Sequence, residues 1–233
     1  NYVPEAELYN LIVLQEEFEK KEIEGLFPIL INRPLEPQLL DMLDSPMLEE
    51  YKALINKKLK ELEDESTEQP LRKAELLIQL AAAYSFSEDY KEALLKFQKA
   101  LDLQLKHLGM YHKDVATTYN HVGSMYYQLG NHKSAMFSHQ KALEIQKKAL
   151  PKLHLDIAYT RRCMSYVLSD LHETEEAMEG HEESLQMKLK LLPPGHPDIA
   201  ASYDSIGALH FEEGDFDEAL MNYQTALDIR LKA

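Results

Sequence analysis

The chain has 233 residues, 45% hydrophobic and 28% charged, with a formal net charge of −15. That balance lets it bury a core, while its acidity removes the positive footprint that phosphate backbones and anionic lipids require, so neither nucleic acid nor membrane is an expected partner. The single cysteine, Cys163, allows no internal disulfide framework and no Cys-rich zinc site, which fits a reducing, cytoplasmic setting.

The acid is concentrated at the front. Residues 1–69 hold 17 acidic and 7 basic side chains, a net of −10, which leaves −5 for residues 70–233. The opening Asn1-Tyr-Val-Pro-Glu-Ala-Glu lacks the basic and apolar regions of a signal peptide, and no apolar run approaches the roughly 18–20 residues that span a bilayer. The chain starts without Met and stops within a repeating pattern at Asp228-Ile-Arg-Leu-Lys-Ala233, so it reads as a fragment of a longer protein. Leu8, Leu11, Ile12 and Phe18 suggest one helix, and Leu48, Tyr51, Ile55, Leu59 and Leu62 form an amphipathic stripe on another. Pro28, Pro34, Pro37 and Pro46 limit the intervening helix to short pieces such as Leu39–Leu43, and residues 61–70 read as a solvated joint. Residues 1–69 are therefore an acidic helical subdomain or cap.

From residue 70 a 42-residue period takes over. Ala93, Ala135, Ala177 and Ala219 stand in register, as do Leu101, Leu143, Leu185 and Leu227. A second comb recurs as His112-Lys-Asp-Val-Ala, His154-Leu-Asp-Ile-Ala and His196-Pro-Asp-Ile-Ala, giving repeats at 70–111, 112–153, 154–195 and 196–233. Each holds two helical stretches. In the second repeat Val115, Tyr119, Val122 and Tyr126 keep helical spacing up to Gly130-Asn131, and a second helix from Lys133 carries Ala135, His139, Ala142, Leu143 and Gln146 along one side until Pro151. Pro193-Pro-Gly-His-Pro197 breaks the chain before the fourth repeat, where Asp198 is placed to cap the next helix. A fixed period of this length signals a solenoid, whose repeats stack on their neighbours.

These residues resemble the tetratricopeptide repeat family. Its pattern of a bulky residue, Leu-Gly, Tyr, Ala, an aromatic and Ala is met by Leu77, Leu80-Ala81, Tyr84, Ala93, Phe97 and Ala100; by Tyr119, Val122-Gly123, Tyr126, Ala135, His139 and Ala142; and by Tyr203, Ile206-Gly207, His210, Ala219, Tyr223 and Ala226. The third copy diverges, with Arg161, Met164-Ser165, Leu168, Ala177, His181 and Ser184. The longer period and Leu192-Pro-Pro-Gly-His-Pro-Asp-Ile-Ala resemble the subclass found in kinesin light chains, although their Leu-Asn-Asn-Leu-Ala core is replaced by Tyr119-Asn-His-Val-Gly and Tyr203-Asp-Ser-Ile-Gly. The resemblance implies an all-α, right-handed superhelical solenoid of helix-turn-helix repeats with an N-terminal helical segment. Small residues at Gly123, Ala135 and Ala142 then let paired helices approach.

No phosphate-cradling loop, nucleophile elbow or His-Glu-x-x-His helix occurs, so no enzyme, cofactor or metal site is expected. The histidines follow the repeat: His112, His154 and His196 mark junctions, and His139 and His181 take a packing slot held elsewhere by Phe97 and Tyr223. Cys163 has no His/Asp partner set and reads as a small helical residue.

The resemblance implies a concave groove lined by the first helix of each pair. Its candidate residues are Thr117, Asn120, Ser124, Tyr127, Tyr159, Arg162, Tyr166, Asp204 and Phe211. Aromatics and Arg are common anchors at interfaces; Asn120 suits a peptide backbone, and Arg162 suits a carboxylate held bidentately. A competing reading packs Tyr159 and Tyr166 between repeats and pairs Arg162 with Asp204. Ile78, Asn120, Arg162 and Asp204 share one slot in four copies and differ in each. The function expected is a non-catalytic adaptor binding a partner's peptide. The alternative is a structural or self-associating arm of a larger enzyme or sensor.

Overall fold

The computed structural model describes residues 45–64 and 69–232, and the helix expected around Leu8–Phe18 and the pieces near Leu39–Leu43 lie outside them. The described residues form nine helices and no strand. The chain divides into two compact units, Asn1–Gln69 and Pro70–Ala233. In the first unit α1 (Ser45–Asp64) buries Leu48, Tyr51 and Ile55, as its stripe requires, with Leu59 and Leu62 half-buried. Two sequence expectations change here. Pro46 falls in the first turn of α1, where its missing N–H costs no helical bond, and Glu61–Asp64 continue the helix instead of opening the joint.

The second unit is four helix pairs: α2 (Pro70–Phe86) with α3 (Tyr90–Leu108), α4 (Lys113–Gln128) with α5 (His132–Ala149), α6 (Leu155–Asp170) with α7 (Thr174–Leu191), and α8 (Pro197–Glu213) with α9 (Phe216–Lys232). Each helix packs on its pair mate and on the next helix in sequence, so one core runs through the array rather than sitting at its centre. Ala81, Ala93, Phe97, Leu101, Val115, Val122, Ala142 and Ile145 form one such cluster across the first two pairs. The first helices α4 and α6 also touch directly, whereas no comparable packing joins α5 to α7. The second and third pairs therefore converge on the first-helix side and splay on the other.

Backbone chemistry repeats with the sequence. The first helix of each pair ends at one slot in left-handed conformation: Glu88 (φ 61°), Gly130 (φ 72°), His172 (φ 60°) and Gly214 (φ 88°). In the second pair the Asn131 N–H bonds the Tyr126 carbonyl and the Gly130 N–H that of Tyr127, both at 2.8 Å, the pattern that satisfies the last orphan carbonyls of a helix. Asn131 then accepts from the Ser134 N–H and starts α5.

The His comb is a set of helix caps. His112, His154 and His196 each accept, through Nδ1, the backbone N–H two residues on, at 3.2, 3.1 and 3.1 Å. This corrects the sequence expectation at the fourth repeat: His196 is the cap, and Asp198 lies inside the first turn, where its charge meets the helix dipole.

Close helix approach is settled at one slot. A Cβ on Gly123 would stand 2.7–2.9 Å from three atoms of the His139 ring, and one on Gly207 would stand 3.2 Å from the Tyr223 ring. In the third pair the same slot is Ser165, and the small residue moves to the partner helix: a Cβ on Gly180 would overlap Ser165 Oγ. His139 and His181 are 1% and 2% exposed, so the packing role expected of them holds.

Candidate functional site

Five of the nine candidate residues come together where α4 and α6 meet the middle of α8. The Arg162 guanidinium lies over two rings, 5.6 Å from the centre of Tyr159 and 5.8 Å from that of Tyr166. Among the described residues it has no ion-pair partner, and its Nε is buried without a hydrogen-bond partner. Tyr159 is 40% exposed, with its hydroxyl turned inward to Ser124 on α4 and to Cys163. The neighbouring Cys163 thiol, and then burial, push that hydroxyl up to about 12. Tyr166 bonds Ser205 on α8 through its hydroxyl at 2.7 Å and meets the His181 ring edge-on at 4.9 Å. Tyr127 joins from α4: burial, and then a hydrogen bond to Asp170, raises its hydroxyl to about 12. Tyr127 and Tyr159 thus remain neutral at physiological pH.

Asn120 lies elsewhere. It is 4% exposed and belongs to a buried chain of polar groups joining two pairs. His139 Nδ1–H donates to Asn120 Oδ1 at 3.0 Å, and Asn120 Nδ2 donates to Thr160 Oγ1 at 2.6 Å. Thr160 in turn donates to Gln146 Oε1 at 2.8 Å, with the Asp156 carbonyl at 2.9 Å competing for the same hydrogen. Both ends of the Asn120 amide are committed inside, so the sequence expectation that it meets a peptide backbone is corrected: it fixes the register of α4, α5 and α6.

Three more candidates stand apart from the cluster. Thr117 is exposed and returns its hydroxyl to the Lys113 carbonyl. Asp204 is held by Arg230 of its own pair, which overturns the competing expectation that it neutralises Arg162. Phe211 is 58% exposed and packs edge-on against Phe216 at 5.5 Å.

Sequence reasoning missed Lys188. It is 4% exposed, and Nζ donates to Ser202 Oγ at 2.8 Å and to the Asp198 carbonyl at 3.1 Å. Burial, and then the Arg162 charge, pull it down to about 8, so it is still mostly protonated at neutral pH. The signal was present: Gln104 and Gln146 hold the same slot in earlier repeats, and a cation replaces them. Arg162 and Lys188 make a small positive region in an acidic chain. Cys163 beside them has its thiol pushed up by burial, which keeps it protonated and a poor nucleophile.

Among the described residues no three His, Cys, Asp or Glu side chains converge as a metal would require, and no helix is long and apolar enough to cross a membrane.

Comparison with known proteins follows the same geometry. The tetratricopeptide repeat family matches residues 72–148 and 156–232. Among solved structures the chain is similar to BtubC (BKLC) from P. vanneervenii, at 17% identity over 91% of this chain and 88% of that one, with a TM-score of 0.72. It is also similar to nearly identical repeats of a putative kinesin light chain from Podosopora anserina (18% identity, 91% and 95% covered, TM-score 0.66). The apo form of RapI aligns at 16% identity over 94% and 87% of the two chains, with a TM-score of 0.59. No curated protein matches the sequence.

Proposed function

Because the chain belongs to the tetratricopeptide repeat family, with 42-residue repeats of the kinesin-light-chain-like kind, we propose that it is a non-catalytic adaptor of the cytoplasm that holds a peptide segment of a partner protein along its first helices. Tetratricopeptide repeats generally serve protein association and scaffolding. The observation that carries the reading is Arg162, a cation between Tyr159 and Tyr166 without a carboxylate of its own. A peptide carboxylate satisfies that guanidinium, and Lys188 strengthens the local field. The tyrosine rings supply contact area at low entropy cost, while Ser124 and Tyr127 border the same cluster.

The test is a scan of partner-derived peptides by fluorescence anisotropy against wild type, Arg162→Ala and Tyr166→Phe. A loss on the order of tenfold or more in the Arg162 variant is expected; undiminished binding places the site elsewhere. Asn120→Ala is expected to lower the melting temperature, because it breaks the chain from His139 to Gln146.

A second reading is favoured by α9. Phe216, Leu220, Met221 and Leu231 are each more than 60% exposed, an apolar face that suits self-association of a structural arm. Light scattering distinguishes the two: a monomer at all concentrations removes this reading, and a dimer dispersed by Leu220→Glu with Leu231→Glu favours it.

A further inference from the structure

The splay between second helices leaves a cleft of about 660 Å³ lined by α5, the connection after it, the N-terminal half of α6 and α7. Ile157 on α6 and Met187 on α7 are its apolar lining residues, and Arg161 on α6 pairs with Glu183 on α7. Along α7, Glu179, Glu182 and Glu183 follow one another at helical spacing on the face opposite the buried stripe of Ala177, His181, Ser184 and Lys188. The facing wall is basic, with Lys147 near the end of α5 and Lys152 in the connection to α6. Among the described residues Glu179 and Glu182 pair with no cation, and Lys147 and Lys152 pair with no carboxylate.

This arrangement belongs to the third repeat alone. The slot of Glu179 is Leu95, Phe137 and Met221 in the other copies, that of Glu182 is Gln98, Gln140 and Gln224, and that of Glu183 is Lys99, Lys141 and Thr225. Arg161 replaces Leu77, Tyr119 and Tyr203. Four departures from the repeat meet in one cleft, and only the Arg161–Glu183 pair is accounted for by the fold itself. Packing needs explain Ser165 and Gly180, which exchange places, but they explain neither Glu179 nor Glu182.

We propose that this cleft is a second docking site, separate from the first-helix cluster, for a protein segment that sets an apolar side chain on Ile157 and Met187 between a basic residue facing α7 and an acidic residue facing Lys147 and Lys152. The volume suits one or two side chains of such a segment. The opposed walls select against segments whose flanks carry a single sign of charge, since one flank then meets its like.

The probe is a synthetic 16-residue helical peptide with a Leu stripe flanked by Lys on one side and Glu on the other, compared with versions flanked by Lys on both sides or Glu on both sides. Binding is read from the methyl resonances of Met187 and Ile157 and by anisotropy. The mixed-flank peptide is expected to shift both methyls and to bind at least tenfold more tightly than either single-sign version. Glu179→Lys/Glu182→Lys should reduce that affinity about tenfold, make the Glu-flanked peptide the better ligand, and leave melting unchanged because both positions are exposed. Arg162→Ala should leave it unaltered, which separates failure here from failure of the first-helix site. No methyl shift at millimolar peptide, equal affinity for the three peptides, or binding lost only in Arg162→Ala overturns the proposal.

Discussion

Ser165 and Gly180 show how the third repeat keeps its helices close while departing from the pattern. The second repeat places Gly123 on the first helix and Ser138 on the second; the third reverses them. Gly180→Ser should therefore cost about 1–3 kcal/mol by overpacking against Ser165, and adding Ser165→Gly should recover most of it in a urea titration. Independent, additive effects of the two changes would remove the idea of exchange. The buried histidines act at the same scale. Burial lowers His139 from 6.5 to about 4, and burial followed by the charges of Arg162 and Lys188 does the same for His181. The unfolded chain takes up these protons near pH 6.5 while the fold refuses them until about 4. The stability due to the neutral rings is thus complete above 6.5 and lost progressively as pH falls towards 4, on the order of 2–3 kcal/mol for each ring at the low end. Melting temperature should fall between pH 7.5 and 5.0, and less so in a His181→Phe variant.

Among elements, the turn closing each first helix tests the same reasoning on the backbone. Gly130 and Gly214 take positive φ without strain, whereas Glu88 and His172 hold it with a Cβ. His172→Gly is expected to stabilise the protein by about 0.5–1 kcal/mol, and Gly130→Ala to destabilise it by about as much or more. Chemical denaturation measures both. If neither changes the midpoint, the turn is not strained as drawn. The caps at His112, His154 and His196 predict a loss of about 1 kcal/mol for His154→Ala and near-recovery with His154→Asn, since a side-chain acceptor is all that the Asp156 N–H requires.

At the scale of the array, stability is carried between neighbours. Thr160 meets Gln146, and Ser202 meets Lys188, so the slot after the His154 and His196 combs pins a first helix to the second helix before it, whereas Thr118 after His112 turns back to the Asp114 carbonyl of its own helix. Arg230, in the slot of Gln146 and Lys188, turns back to Asp204, and Ala219 and Ala226 are the buried residues of α9. In a protein limited to residues 1–233, amides of α9, which among the described helices packs chiefly on α8, should exchange with solvent faster than those of α5, which packs on both α4 and α6; equal protection would mean that the array unfolds as one unit.

The sequence by itself determined the scaffold, because a 42-residue period repeats its local decisions: the Ala135 slot at the helix contact in all four copies, the His154 cap in three, and Gly at the Gly130 turn slot in two. Each of those choices acts within one turn of helix or between paired helices, so spacing alone exposes it. It also gathered Tyr159, Arg162 and Tyr166, which are neighbours on a single helix face. Only the tertiary structure decided what lies between repeats. Asn120 and Arg162 share a slot, yet Asn120 is drawn inward because His139 and Thr160 face it, whereas Arg162 finds rings and no carboxylate. Likewise Glu179 and Lys147 stand 32 positions apart in sequence, and they become opposite walls of one cleft only because converging first helices force the second helices apart.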